Sequence, residues 1–150
     1  HAAEQAVLSF SRAAIENEVE QQVKQGMVLR LAGLVGPERH PAKFLLANKT
    51  LSNSSAPVNL IHQQDAAGLI EALLQTPLTQ INSEQAIFNG VSATHITKQV
   101  YYQAAAKALN IDIPMFQKTK VNMSTKVVSG EKAKRLLSYK FVYPDLLTWL

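Results

Sequence analysis

The stretch Gly26-Met27-Val28-Leu29-Arg30-Leu31-Ala32-Gly33-Leu34-Val35-Gly36-Pro37-Glu38-Arg39-His40 decides the fold. Met27 to Leu31 is a short apolar run bounded by Gly26 and Gly33, the pattern of a strand buried on both faces, with Arg30 the one interruption. The run opens into a loop, Ala32 to Pro37, whose glycines and proline allow backbone geometries that bulky residues resist. In open α/β sheets ligands bind in the crevice at the carboxyl ends of strands. A strand ending in a glycine-bearing loop and followed by Arg39, His40 and Lys43 is therefore the site candidate. An ordinary turn after a core strand is the competing reading of the same residues.

Outward from this stretch, helix and strand patterns alternate. Residues 2–24 lack Gly and Pro and are rich in Ala, Glu and Gln; Leu8, Ile15, Val19 and Val23 make one apolar stripe of a helix capped at Gly26. A helix leading through a tight glycine turn into an apolar strand is half of a βαβ crossover, whose preceding strand would lie before residue 1. Downstream, Pro41 to Ala47 predicts a short helix with apolar contacts from Phe44, Leu45 and Leu46, and Asn48 to Pro57 an exposed loop. Val58 to His62 is a second strand, with Asp65 the expected N-cap of a helix that ends near Thr76-Pro77. Ala86 to Asn89, closed by Gly90, is a third strand, expected to run parallel to Met27–Leu31. Thr94 or Thr97 caps a helix from Lys98 to Leu109 that turns Val100, Tyr101, Ala104, Ala105, Ala108 and Leu109 inward. Asn110 to Phe116 reads as a loop, Val127-Val128 as a short strand, Ser129 as the cap of a last helix, Glu131 to Leu137, and Phe141 to Pro144 as an extended end. The fold class this predicts is α/β.

The 150 residues are enough for one unit with a real core, and the hydrophobic fraction of 47% is that of a globular protein. The net charge is +4 and the sequence pI about 9.4, which permits an anionic partner without demanding one. Cysteine is absent, which excludes disulfides, zinc–thiolate sites and cysteine nucleophiles and is compatible with a cytoplasmic setting. No apolar run approaches the roughly 18 residues that span a bilayer.

Motif chemistry is mostly negative. The four histidines lack a short ligand spacing, and His62-x-x-Asp65 is explained by a cap and its neighbour, so no metal is expected. Neither a Gly-x-Ser-x-Gly elbow nor a Gly-x-Gly-x-x-Gly or Walker loop is present. Lys118, Lys120, Lys126, Lys132, Lys134, Arg135 and Lys140 gather positive charge in the last third, but no aromatic residues alternate with them as a stacking surface would require. Of the adjacent Tyr101 and Tyr102 one should be core and the other exposed or interfacial, and Trp149 a packing residue.

Taken together, the segments resemble a known family. Leu29 to Pro41 resembles the strand-loop of extended short-chain dehydrogenase/reductases, the NAD-dependent epimerase/dehydratase family. Val58-Asn59-Leu60-Ile61-His62-x-x-Asp65-Ala66-Ala67 is similar to that family's later strand-helix signature. Phe88-Asn89 before a helix, Pro114-x-Phe116, the Lys126-x-x-Ser129 turn and Tyr143-Pro144-Asp145 are similar to the rest of its carboxyl half. The similarity is nearest to the atypical bacterial branch labelled nucleoside-diphosphate-sugar epimerase-like.

The resemblance implies that the chain is the carboxyl-terminal part of a Rossmann-type parallel sheet plus a small substrate-binding lobe. Residues 1–33 and 86–109 would be sheet elements, and 34–85 and 110–150 mainly lobe, in one compact unit. It implies a parent that binds NAD or NADP, with the glycine-rich cofactor loop and the Tyr-x-x-x-Lys pair in a missing N-terminal half, so that no catalytic residue and no tight cofactor binding belong to this chain alone. Ala32, Gly33 and Leu34 would lie against the nicotinamide. Gly36, Arg39, His40, Lys43, Phe44, Asn59 and His62 would face a nucleotide-sugar-like or other small anionic substrate. Gly33 stands where typical members carry a substrate-binding Asn, and Leu34 where an aromatic residue or proline is frequent, so the ordinary sugar-nucleotide chemistry need not carry over. The alternative is a non-enzymatic basic module for nucleic acid or an acidic partner. An uncovered strand edge and apolar stripe predict either a bound N-terminal half or self-association.

Overall fold

A computed structural model describes residues 14, 15, 18, 26–47, 50–81, 86–117 and 126–150. The opening helix falls mostly outside them: of its predicted stripe Leu8, Val19 and Val23 are not among the described residues, and its cap at Gly26 adjoins their boundary.

The order is β1 (Val28–Leu31), β2 (Gly33–Val35), α1 (Pro41–Ala47), β3 (Thr50–Leu51), β4 (Leu60–His62), α2 (Gln63–Gln75), a 3-10 turn (Leu78–Gln80), β5 (Ile87–Gly90), α3 (Lys98–Ala108), β6 (Met115–Phe116) and α4 (Glu131–Leu136). Every ladder among the named strands is parallel. β1 pairs with β5 from Val28 opposite Ile87 to Leu31 opposite Gly90, as the two apolar runs predict. β2 pairs with β4, Gly33 opposite Leu60 and Val35 opposite His62, and β3 pairs with β6. Parallel pairing needs long crossovers, and α1 and α2 supply them.

The main core lies where α2 and α4 meet β4 and β5: Ile61, Ala66, Leu69, Leu73, Phe88 and Ala133 are buried, with Leu29 and Leu31 packed against them. A second cluster joins Val35, Val58, Tyr101 and Leu146, and a third joins Leu45, Leu51 and Ala106.

Several local expectations are corrected. β1 is half-buried with Arg30 exposed, not buried on both faces. α2 begins at Gln63 and is capped by His62, whose Nδ1 accepts the Gln64 N–H at 3.2 Å. Asp65 therefore sits inside the first turn, fully buried, and serves a different segment. Thr97 caps α3 as predicted, accepting from the Val100 N–H at 3.3 Å. The buried face of α3 is Tyr101, Ala105 and Ala106, while Val100 and Leu109 are exposed: an alanine-rich helix offers too little contrast to fix its phase. Phe44 and Leu46 in α1 are exposed, leaving Leu45 to the core. Two segments read as loops contain β3 and β6, with Leu51 buried between them. Val127-Val128 is not a strand, and α4 starts after Gly130, with Ser129 Oγ accepting the Glu131 N–H at 3.3 Å.

Candidate functional site

β1 and β5 end side by side, and the Ala32 N–H donates to the Gly90 carbonyl at 2.9 Å, one residue beyond the strands. The chain then crosses at once to the next pair, the Gly33 N–H donating to the Asn59 carbonyl at 3.3 Å. Ala32, Gly33 and Leu34 thus follow directly on the carboxyl end of β1, where it lies beside β5. Gly33 is exposed, and a Cβ there would stand 2.8 Å from Leu60 Cδ2.

β2 leads into a tight turn, Gly36 to Arg39, closed by the Arg39 N–H on the Gly36 carbonyl at 2.9 Å. Gly36 is buried beneath the Gln63 side chain. Arg39 and Lys43 are both exposed on this turn and the start of α1, with Lys43 Nζ donating to the Pro37 carbonyl at 3.4 Å. Phe44 is exposed too, its ring 6.2 Å from Tyr102.

His40 and His62 are drawn together by the far end of the chain. The Trp149 ring packs edge-on against His40 at 5.3 Å and against His62 at 5.1 Å, and Tyr143 lies 4.0 Å from His62. Burial lowers both imidazoles below their ordinary value; Lys43 adds to the effect at His40, and Asp65 partly opposes it at His62. Each ring already accepts a backbone N–H at Nδ1, from Ala42 for His40 and from Gln64 for His62, both at 3.2 Å.

Two clasps hold the segment that carries Tyr143 and Trp149. Asp65 accepts from the backbone N–H groups of Val142 (2.7 Å) and Tyr143 (2.9 Å) and from the Tyr139 hydroxyl (3.0 Å). Burial and that bond to Asp65 push the Tyr139 phenol up to about 12. Thr94 Oγ1 accepts the Leu146 N–H at 2.8 Å and lies 3.3 Å from Asp145 Oδ1. His62 and Asp65, a nominal ligand pair by spacing, are thus spent on a helix cap and a backbone clasp.

Asn59 stands apart from the histidines. Its amide bridges the chain ahead of α4, Nδ2 donating to the Lys126 carbonyl at 2.9 Å and Oδ1 accepting the Val128 N–H at 2.8 Å. Beyond it opens a mostly apolar cavity of about 340 Å³ between the loop after β5 and the start of α4, with Ser92, His95, Glu131 and Lys134 its principal polar lining. Sequence reading missed this cavity because no motif flags Val91 to His95. The available signal was Gly130, where a Cβ would meet the Val91 carbonyl oxygen at 2.5 Å.

This arrangement, parallel strands with a glycine loop at their carboxyl ends and helical crossovers, defines the fold: that of roughly the carboxyl-terminal half of Rossmann-type NAD-dependent epimerase/dehydratase structures. Among individual proteins the chain is 36% identical over 120 residues to Protein YeeZ of Escherichia coli K12, a match covering 80% of this chain and 42% of YeeZ. The chain thus spans less than half the length of that relative. It is similar to the structure of UDP-N-acetylglucosamine 4-epimerase from Bacillus cereus, with a TM-score of 0.60 at 22% identity, covering 85% of this chain and 47% of the other. It is also similar to the Bordetella bronchiseptica enzyme WbmG, solved in complex with NAD, with a TM-score of 0.54 at 16% identity over 80% of this chain and 40% of that one. No family model matches the chain.

Proposed function

We propose that this chain is the substrate-facing part of an NAD(P)-binding, epimerase/dehydratase-like protein that holds a nucleotide-sugar-like or other anionic small molecule. The observation that carries this reading is the junction at Ala32 and Gly33. There the β1–β5 parallel pair ends, and the chain passes through β2 into the turn bearing Arg39 and the start of α1 bearing Lys43. The carboxyl ends of strands are where open α/β sheets bind ligands, and a structural neighbour was solved with NAD.

The residues fit the cofactor. An exposed glycine between two small or half-buried neighbours leaves a flat backbone surface on which a nicotinamide can lie. That ring supplies hydride transfer when bound. Ala32, Gly33 and Leu34 would position it. Arg39 would take the anionic group through its planar guanidinium, with Lys43 as a second, point-like charge. Gly36 shapes the turn, Phe44 offers an apolar face, and Asn59 and His62 act by positioning the walls. In this reading residues 26–33 and 86–109 belong to the cofactor sheet, and the described residues of 34–85 and 110–150 mainly to the substrate lobe. Among the described residues β1 pairs on one side, with β5, and in this reading its other edge takes a further strand. A cytoplasmic setting goes with this chemistry.

Calorimetry on the full-length protein tests the reading, with NAD, NADP and a uridine diphosphate sugar as titrants. Binding of a dinucleotide is expected, and Arg39→Ala should weaken the sugar nucleotide by about 1.5–3 kcal/mol, the range of a charge-assisted hydrogen bond. Unchanged affinity removes Arg39 from the site. Failure of both dinucleotides to bind, with steeply salt-dependent binding to nucleic acid instead, replaces the enzyme-like reading by a basic module.

A further inference from the structure

The Gln63 side chain lies folded back on the glycine loop. The last rung of the β2–β4 ladder sets Val35 opposite His62, and the next step along both chains brings Gly36 against Gln63. There Gln63 occupies the place a side chain on Gly36 would take: a Cβ on Gly36 would stand 2.5 Å from both Cδ and Oε1 of Gln63 and 2.8 Å from its Cγ. Gly36 is buried and Gln63 is exposed. What the turn presents to solvent at this point is therefore a carboxamide and not glycine backbone.

The seat of that amide gives it a role. Gly36 also accepts the Arg39 N–H through its carbonyl at 2.9 Å, so the amide rests on the base of the turn that carries Arg39. Arg39 and Lys43 are exposed cations, whereas the amide is neutral. Among the described residues no hydrogen bond engages the Gln63 carboxamide, which leaves an acceptor oxygen and a donor nitrogen side by side. Hydroxyls, which donate and accept at once, are the complement of such a pair. Over Gly33 the corresponding place is filled by Leu60, whose Cδ2 lies 2.8 Å from where a Cβ would stand, so the wall there is apolar and offers no competing polar contact.

We propose that Gln63 is a specificity-determining residue of the candidate substrate site, hydrogen-bonding a neutral hydroxyl that the ligand carries beside its anionic group. The role rests on the substrate reading proposed above and adds a recognition element to it. Arg39 and Lys43 hold the charge, and Gln63 tells a hydroxyl-bearing ligand from a bare anion.

Calorimetry on the full-length protein with UDP-glucose, UDP and inorganic pyrophosphate tests this, with Tm recorded for each variant. Gln63→Leu removes both hydrogen-bonding ends of an exposed side chain. It should weaken UDP-glucose about tenfold, the worth of one neutral hydrogen bond, and leave pyrophosphate affinity and Tm unchanged. UDP locates the hydroxyl: native affinity in the variant puts it on the sugar, and a matching loss puts it on the ribose. Gly36→Ala, which keeps the amide but pushes it off its seat, should weaken UDP-glucose in the same direction. Native UDP-glucose affinity in both Gln63→Leu and Gly36→Ala overturns the inference and leaves the substrate reading standing. So does an equal loss for pyrophosphate in Gln63→Leu, which would mark a reshaped turn and not a lost contact. If the native protein binds none of the three, both the substrate reading and the role of Gln63 fall.

Discussion

The Asp65 carboxylate takes the backbone N–H of Val142 at 2.7 Å, across 77 residues of chain. With the Tyr143 N–H and the Tyr139 hydroxyl it forms a fully buried three-donor clasp, which fastens the aromatic segment over the candidate site. Asp65→Asn turns one acceptor into a donor facing N–H groups. It should destabilise the protein by about 1.5–3 kcal/mol, the cost of losing a hydrogen bond to a charged group, as read from urea unfolding. Tyr139→Phe, which removes a single donor, should cost about 1 kcal/mol. Equal stability of Asp65→Asn and the native protein would show that the clasp does not hold the segment.

Acid should loosen the same region. The folded-state values of His40 and His62 both lie below 6.5, chiefly through burial, whereas the unfolded chain titrates near that value. The unfolded state therefore binds protons first on acidification. The contribution of the neutral rings is complete above about pH 6.5 and is lost as the pH falls through the lowered values. Protonation at Nδ1 also ends the acceptor role of His62 at the start of α2. Tm measured from pH 8 to pH 5 should fall below about 6.5, and His62→Asn, which retains a capping oxygen, should flatten the slope.

Glycines 36 and 130 give opposite predictions for the same substitution. A Cβ at Gly130 meets the Val91 carbonyl oxygen at 2.5 Å, a backbone atom that cannot step aside. At Gly36 it meets the Gln63 side chain, which can swing away. Gly130→Ala should lower Tm markedly and reshape the cavity beside Val91, while Gly36→Ala should be mild. Matching losses for the two would contradict the packing described here.

Asn59 separates a structural role from ligand contact. Both ends of its amide are committed to the chain ahead of α4. Asn59→Asp keeps the acceptor for the Val128 N–H and loses the donor to the Lys126 carbonyl, so stability should fall by about 0.5–1.5 kcal/mol. Ligand affinity of the full-length protein should move little. A large affinity loss at unchanged stability would make Asn59 a ligand contact.

The β1–β5 pairing was legible because both runs are apolar, short and closed by glycine, and such runs leave few places in an α/β fold. The Asp65 role was not, since an acidic residue ahead of an apolar helix looks like a cap, and the partners that prove otherwise lie at Val142 and Tyr143. β3 and β6 are two residues each, too short for any period to register. At the candidate site, Arg39, His40 and Lys43 stand next to one another in sequence and stay together in space. Trp149 reads as a packing residue, which it is, but only folding back over β4 brings it onto His40 and His62.

The parallel ladders have a kinetic consequence. Among the described residues Val28 waits for Ile87, Gly33 for Leu60 and Thr50 for Met115, so none of these three ladders closes by a local hairpin. Loop-closure entropy must be met before any of these contacts rewards it, which places the chain among slow, high-contact-order folders. During synthesis the apolar run at Val28 to Leu31 stays unpaired with β5 until residue 87 has left the ribosome. Throughout that interval it is exposed to whatever else will pair with it.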